Sequence, residues 1–252
     1  MRGTSLGLTA ALTRAGMAAL RAKAPGGRER WERKNYAGRT VELYAGPAAA
    51  LAVALGAGRV RPAAGMAVAL AGLCGAYDDL AGDHQRGFRA HLGALRDGEV
   101  TSGAVKLFGI SAAGLVAGAL MKERVVDKAL AGVVIAGAAH FVNLVDVRPG
   151  RAAGAVVALG APGMARSELA AVAVGAAVAV LPDDLSERVM IGDVGAHALG
   201  AALGAAVVAG NGRVGLVLHA AAVVAAAVCG DQVSRVSAAA HLEVGRGVPS
   251  LL

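Results

Sequence analysis

Aromatic residues are nearly absent from this chain: one Trp, three Tyr and three Phe in 252 residues, or 3%. Charge is scarce as well, at 17% against roughly 25% in ordinary soluble domains. A soluble domain of this length would carry more of both. Only two cysteines occur, Cys74 and Cys229, each inside an apolar stretch. That excludes a disulfide framework or a cysteine-rich metal site, and both read as small buried residues. No Walker loop, no Ser-His-acid set and no His or Cys metal spacing is present. Basic residues are not interleaved with aromatics, so the net charge of +7 does not point to nucleic acid.

What the chain does have is apolar length. Hydrophobic residues make up 56%, mostly Ala, Val and Leu with interspersed Gly. They come in blocks of about 15–20, the scale of a bilayer, and most blocks are apolar all round. This predicts an all-α fold: a polytopic membrane helix bundle of about nine transmembrane helices, with residues 1–252 as one integral membrane domain. The candidate spans are 5–24, 44–58, 62–78, 103–121, 126–145, 150–163, 165–181, 195–210 and 213–230. Several are short for a full crossing, which Ala-Gly helices at the centre of a bundle permit. The first span is interrupted by Arg14, and Ala22-Lys23-Ala24 resembles a signal-peptidase site. It reads as a transmembrane helix, a cleaved signal or a surface helix.

With nine spans and the N-terminus outside, segments 25–43, 79–102, 146–149, 182–194 and 231–252 all face the cytoplasm. Most Lys and Arg residues then lie on that face, as the positive-inside tendency requires. Cleavage after Ala24 would put them outside, so the uncleaved reading is favoured. The expected location is the inner (plasma) membrane, multi-pass, with anionic lipid headgroups as neighbours of the basic loops.

Three acidic segments end apolar stretches: Asp78-Asp79, Asn143-Leu144-Val145-Asp146 and Gly192-Asp193-Val194-Gly195. On the topology above they share one face. Ionised carboxylates at a membrane boundary are costly without a partner, and a hard divalent metal holding a phosphorylated substrate is a natural one. Taken singly, each has a plain structural reading. Asp78-Asp79 merely ends a helix, Asn143 and Asp146 cap one, and Asp193 sits at an N-terminal capping position. Adjacent carboxylates on a helix point about 100° apart, so Asp78 and Asp79 can serve different partners. Arg148 and Arg151, flanking Pro149-Gly150, suit an anion or nucleotide beside Asn143 and Asp146. His140 reads as a buried, satisfied residue. Arg86 and Arg89, among glycines and near His84 and His91, suit phosphate contact or form a solvated basic loop. Lys106 either snorkels to headgroups or reaches a phosphate.

The spaced-aspartate pattern of the CDP-alcohol transferases is missing. The combination of GAYDDLAGD at 75–83, NLVD at 143–146 and GDVGAHALGAALG at 192–204 instead resembles the polytopic polyprenyl-phosphate phosphosugar transferases, glycosyltransferase family 4. That family includes phospho-MurNAc-pentapeptide translocase. The order and same-side placement of the segments match too, from about Asn35 to the C-terminal tail. The resemblance implies an Mg²⁺- or Mn²⁺-dependent enzyme. It would move a sugar-1-phosphate from a UDP-sugar to polyprenyl phosphate, release UMP and serve cell-envelope glycan synthesis. It further implies Asp78 and Asp79 as catalytic, Asp79 and Asp193 as metal ligands, and Asn143 and Asp146 near the nucleotide. Similar proteins are usually dimers. The chain departs from the family where NLVDVRPGR stands in place of NLTDGLDGL, so Arg148 to Arg151 replace an expected acidic residue and the base pocket must differ. The late His-rich loop is absent, leaving His241 alone in that region. Two other readings are a non-catalytic paralogue that binds polyprenyl phosphate or a partner, and a small-molecule transporter. The first would lose part of the metal set, and the second would carry its carboxylates at mid-span.

Overall fold

The computed structural model describes residues 2–81, 96, 98 and 101–239. Arg86 and Arg89, His84, His91 and His241 lie outside the described residues. What is described is about 82% helical, with ten α-helices. They are α1 (Arg2–Lys23), α2 (Ala45–Val60), α3 (Pro62–Ala81), α4 (Ser102–Met121) and α5 (Val125–Val145), followed by α6 (Arg151–Gly160), α7 (Glu168–Leu185), α8 (Gly192–Gly210), α9 (Arg213–Val228) and α10 (Gly230–Ala239). The nine apolar stretches of the sequence fall on the first nine helices.

As membrane crossings they are unequal. Among the described residues α4, α5 and α8 are long and apolar enough to span a bilayer, and α9 with α10 pass only as a pair bent by 85°. Helix α6 has ten residues. At about 1.5 Å per residue it reaches roughly half the hydrocarbon thickness.

Small residues set the packing. Helix α8 lies at the centre, with 78% of its apolar window buried against 33% for α4. A Cβ at Gly200 would stand 2.5 Å from the Ala138 carbonyl oxygen, and one at Gly204 would stand 2.7 Å from Ile135 Cα. Only glycine lets α8 press this closely on α5, the small-residue contact typical of membrane helices. The outer faces keep Leu, Val and Phe exposed, among them Leu73, Phe108, Leu120 and Leu218. Helix α1 is a packed member of the bundle. Its inward stripe is Ser5, Thr9, Thr13 and Met17, and Thr9 and Thr13 donate to carbonyls one turn back.

The first nine helices alternate in direction, which gathers their ends into two polar sets. One end holds the pairs Arg59 with Glu168 and Arg213 with Asp127. The other holds the ends of α3, α5 and α7 and the starts of α4 and α8, with all three acidic segments. Above it lies a feature the sequence does not announce. The polar stretch 25–43, expected as a loop, contains a hairpin of β1 (Glu32–Lys34) and β2 (Thr40–Glu42). The strands are antiparallel, in the register Glu32↔Glu42, Arg33↔Val41 and Lys34↔Thr40. The hairpin is fastened to the α7–α8 connection. Glu42 accepts from Met190 N at 2.9 Å and donates to the Arg188 carbonyl at 3.1 Å. Asn35 Nδ2 donates to Glu187 at 2.7 Å.

Candidate functional site

Asp78 and Asp79, neighbours on α3, diverge to different partners. Asp79 turns to the start of α8, where its two oxygens accept from the backbone N–H groups of Asp193 and Val194, each at 3.2 Å. It supplies from another helix the cap that α8 lacks, since the N-cap residue Ile191 gives no side-chain bond. Local backbone makes room for it. Gly192 is left-handed at φ 56°, and a Cβ there would stand 3.0 Å from Asp79 Oδ2. Gly75, one turn before Asp79, has the Asp193 carbonyl oxygen 2.4 Å from where a Cβ would lie.

Because Asp79 caps the helix, Asp193 does not. This corrects the capping reading of Asp193. Its carboxylate meets the ammonium of Lys106 from α4, which also donates to Asp78 Oδ2 at 2.7 Å. Lys106 therefore neither snorkels nor stands free; it bridges two carboxylates from two other helices. All three side chains are mostly buried, at 16%, 22% and 24% exposure for Lys106, Asp78 and Asp193.

Asp146 ends α5 and is half-buried, with no ion pair among the described residues. Burial raises its carboxyl well above the usual range, and the nearby charges of Asp184, Asp193 and Asp79 push the same way. Asp184 is the site residue that sequence reasoning missed. It is 4% exposed, at the end of α7, and accepts from Gly150 N at 2.9 Å. The available signal was a second Asp-Asp pair closing an apolar run, the same form as Asp78-Asp79. Its partner Asp183 faces away, held between Arg14 and Arg188, each at 2.5 Å.

Burial lifts Asp184 from 3.8 to about 6, opposed by the Gly150 N–H. A carboxyl raised on folding is stabilising while protonated and costs stability once ionised. The penalty grows as pH rises from about 4 to 6, and by linkage it reaches up to about 3 kcal/mol. Asp184→Asn keeps an oxygen for Gly150 and removes the charge. Thermal unfolding in detergent should show a flatter pH profile over that window and a higher midpoint at pH 7 for this variant.

Between the hairpin and the acidic end lies a cavity of about 160 Å³ lined by Tyr36, Asp146, Arg148, Asp184, Glu187 and Ile191, among others. The Arg148 guanidinium sits over the exposed Tyr36 ring, 4.0 Å from its centroid. Arg151 does not join it: it starts α6, and its buried Nε finds no hydrogen-bond partner among the described residues. Asn143 lies on the last turn of α5, and its carbonyl accepts from Asp146 N at 3.1 Å. Beneath the site His140 and His197 meet edge to face, centroids 5.6 Å apart. Among the described residues the Nε2 atoms of both lack a partner, so His140 is not the fully satisfied residue expected.

Among the described residues no three His, Cys, Asp or Glu side chains form a ready-made metal cage. The donor set nevertheless fits a hard divalent ion. Asp78 and Asp193 already converge on one cationic atom, the Lys106 nitrogen. Mg²⁺ is usually held by one or two carboxylates, with water and substrate phosphate completing the shell. No protein-family model and no curated protein matches the chain.

Proposed function

We propose that this chain is a membrane phosphosugar transferase. It moves a sugar-1-phosphate from a nucleotide sugar, a UDP-sugar by resemblance, to polyprenyl phosphate at the cytoplasmic face of the plasma membrane. UMP is released, and the lipid product feeds cell-envelope glycan synthesis. The observation that carries this reading is the meeting of Asp78, Asp79, Asp193 and Lys106, from three apolar helices, at one end of the bundle.

In the reaction an oxygen of the lipid phosphate attacks the phosphorus beside the sugar. A new P–O bond forms, the diphosphate P–O bond breaks, and UMP leaves with the bridging oxygen. Asp78 and Asp193 would hold Mg²⁺ or Mn²⁺; Asp79 is less suited, because its oxygens serve the α8 amides. When bound, the ion neutralises the diphosphate and polarises its phosphoryl oxygens. Asp79 fixes the start of α8 and so the direction of Asp193. Arg148 and Tyr36 offer a cation and a ring face to the nucleotide, with Asp146 and Asp184 on the cavity wall. The exposed apolar outer faces suit the lipid chain of the acceptor. The paralogue reading would lose part of the metal set, and the transporter reading places its carboxylates at mid-span; the clustered helix-end carboxylates weigh against both.

A screen of UDP-sugars against undecaprenyl phosphate, read by nucleotide release, tests the proposal. UMP release supports it; CMP release from CDP-linked donors, with none from UDP donors, would move the function elsewhere. The Tyr36 contact adds a finer expectation. Tyr36→Ala removes an exposed ring–cation contact of about 0.5–1 kcal/mol. It should raise KM for the nucleotide sugar roughly 2- to 5-fold with kcat little changed, as steady-state kinetics would show.

A further inference from the structure

Lys106 joins α4 to two other helices through a single nitrogen, 2.7 Å from Asp78 Oδ2 and in contact with Asp193 Oδ2. Two mostly buried carboxylates without a counter-charge would be costly, so the lysine answers a real need of the fold. Yet the match is incomplete. One ammonium against two ionised carboxylates leaves one negative charge in the cluster unbalanced. An ammonium is also a compact point charge on a flexible stem, without the fixed fork that locks an arginine onto a carboxylate. The lysine therefore occupies the place where a divalent ion would neutralise both aspartates.

We propose that Lys106 is a built-in competitor for the divalent ion: it holds Asp78 and Asp193 together when the ion is absent and is displaced when the ion binds. This rests on the reading of Asp78 and Asp193 as the metal-holding pair. Displacement leaves the ammonium tethered beside the bound ion, where an anionic phosphate is its next partner. The lysine thus lowers resting metal affinity while keeping the carboxylates converged. A purely structural ion pair would have no such relation to metal.

The experiment titrates the purified full chain in detergent with Mn²⁺ alone, followed by electron paramagnetic resonance. Wild type should bind weakly, Asp193→Asn should lose the site, and Lys106→Met should bind at least tenfold more tightly. A second measurement needs no lysine variant. In wild type, brief acetylation followed by mass spectrometry should show Lys106 modified several-fold more at saturating Mn²⁺. This readout decides the matter if Lys106→Met does not fold. Binding by wild type that is lost in Asp193→Asn, but is no tighter in folded Lys106→Met and leaves acetylation unchanged, overturns the competitor role and spares the metal reading. Absence of Mn²⁺ binding in wild type and variant alike, or binding that Asp193→Asn does not affect, overturns both.

Discussion

Asp193→Asn should cost the protein its transfer activity while leaving it folded. Asn has the shape of Asp and can still accept a hydrogen bond from Lys106, which keeps its ion pair with Asp78. The Asp193 backbone N–H, bonded to Asp79, is unaffected by the change. What disappears is one of two negative charges facing the cation point. A single group that stabilises charge in a transition state is worth about 10²–10³ in rate, so kcat should fall at least about 100-fold. Size-exclusion and circular dichroism profiles should match wild type. Wild-type turnover in this variant, with metal added, would remove Asp193 from the site.

Gly75→Ala should be strongly damaging for so small a change. Its new methyl would lie 2.4 Å from the Asp193 carbonyl oxygen and 2.7 Å from Val194 N, both backbone atoms that no side-chain rotation can move. Helix α3 must then back away from α8, carrying Asp78 and Asp79 with it. Overpacking a tight interior costs about 1–3 kcal/mol, and a backbone clash belongs at the upper end. The midpoint of thermal unfolding should drop and activity should fall with it. Gly154→Ala is the control, because nothing lies within 4 Å of its added methyl. In mid-helix that change should be neutral or stabilising by up to about 1 kcal/mol. Equal effects at the two positions would refute the close approach of α3 to α8.

Much of the fold is legible in the sequence because apolar length is a local property. The stretches 44–58, 103–121 and 126–145, for example, fall on α2, α4 and α5 within a few residues. What the sequence does not reveal depends on meetings between distant segments. The partners of Lys106 are 28 and 87 residues away, and nothing in GAVKLFG states that two aspartates await it. The hairpin hides because 25–43 reads as polar and Gly-punctuated, and its strands are only three residues each. Asp79 and Asp193 were each visible as charges at helix ends. Which one caps α8 and which faces the cation is decided by the left-handed turn at Gly192. Asp184 was legible in form, as a repeat of Asp78-Asp79, but its bond to Gly150 spans 34 residues.

The path of the donor's sugar-side phosphate reports the transfer itself. A UDP-sugar carrying ³²P in the phosphate next to the sugar is incubated with the purified protein, Mg²⁺ and undecaprenyl phosphate, and the products are partitioned between butanol and water. The label should enter the butanol phase, chelation should prevent this, and label placed instead in the uridine-side phosphate should stay in water as UMP. Label from the sugar-side phosphate that never leaves the aqueous phase, with intact protein and every UDP-sugar tried, would contradict it.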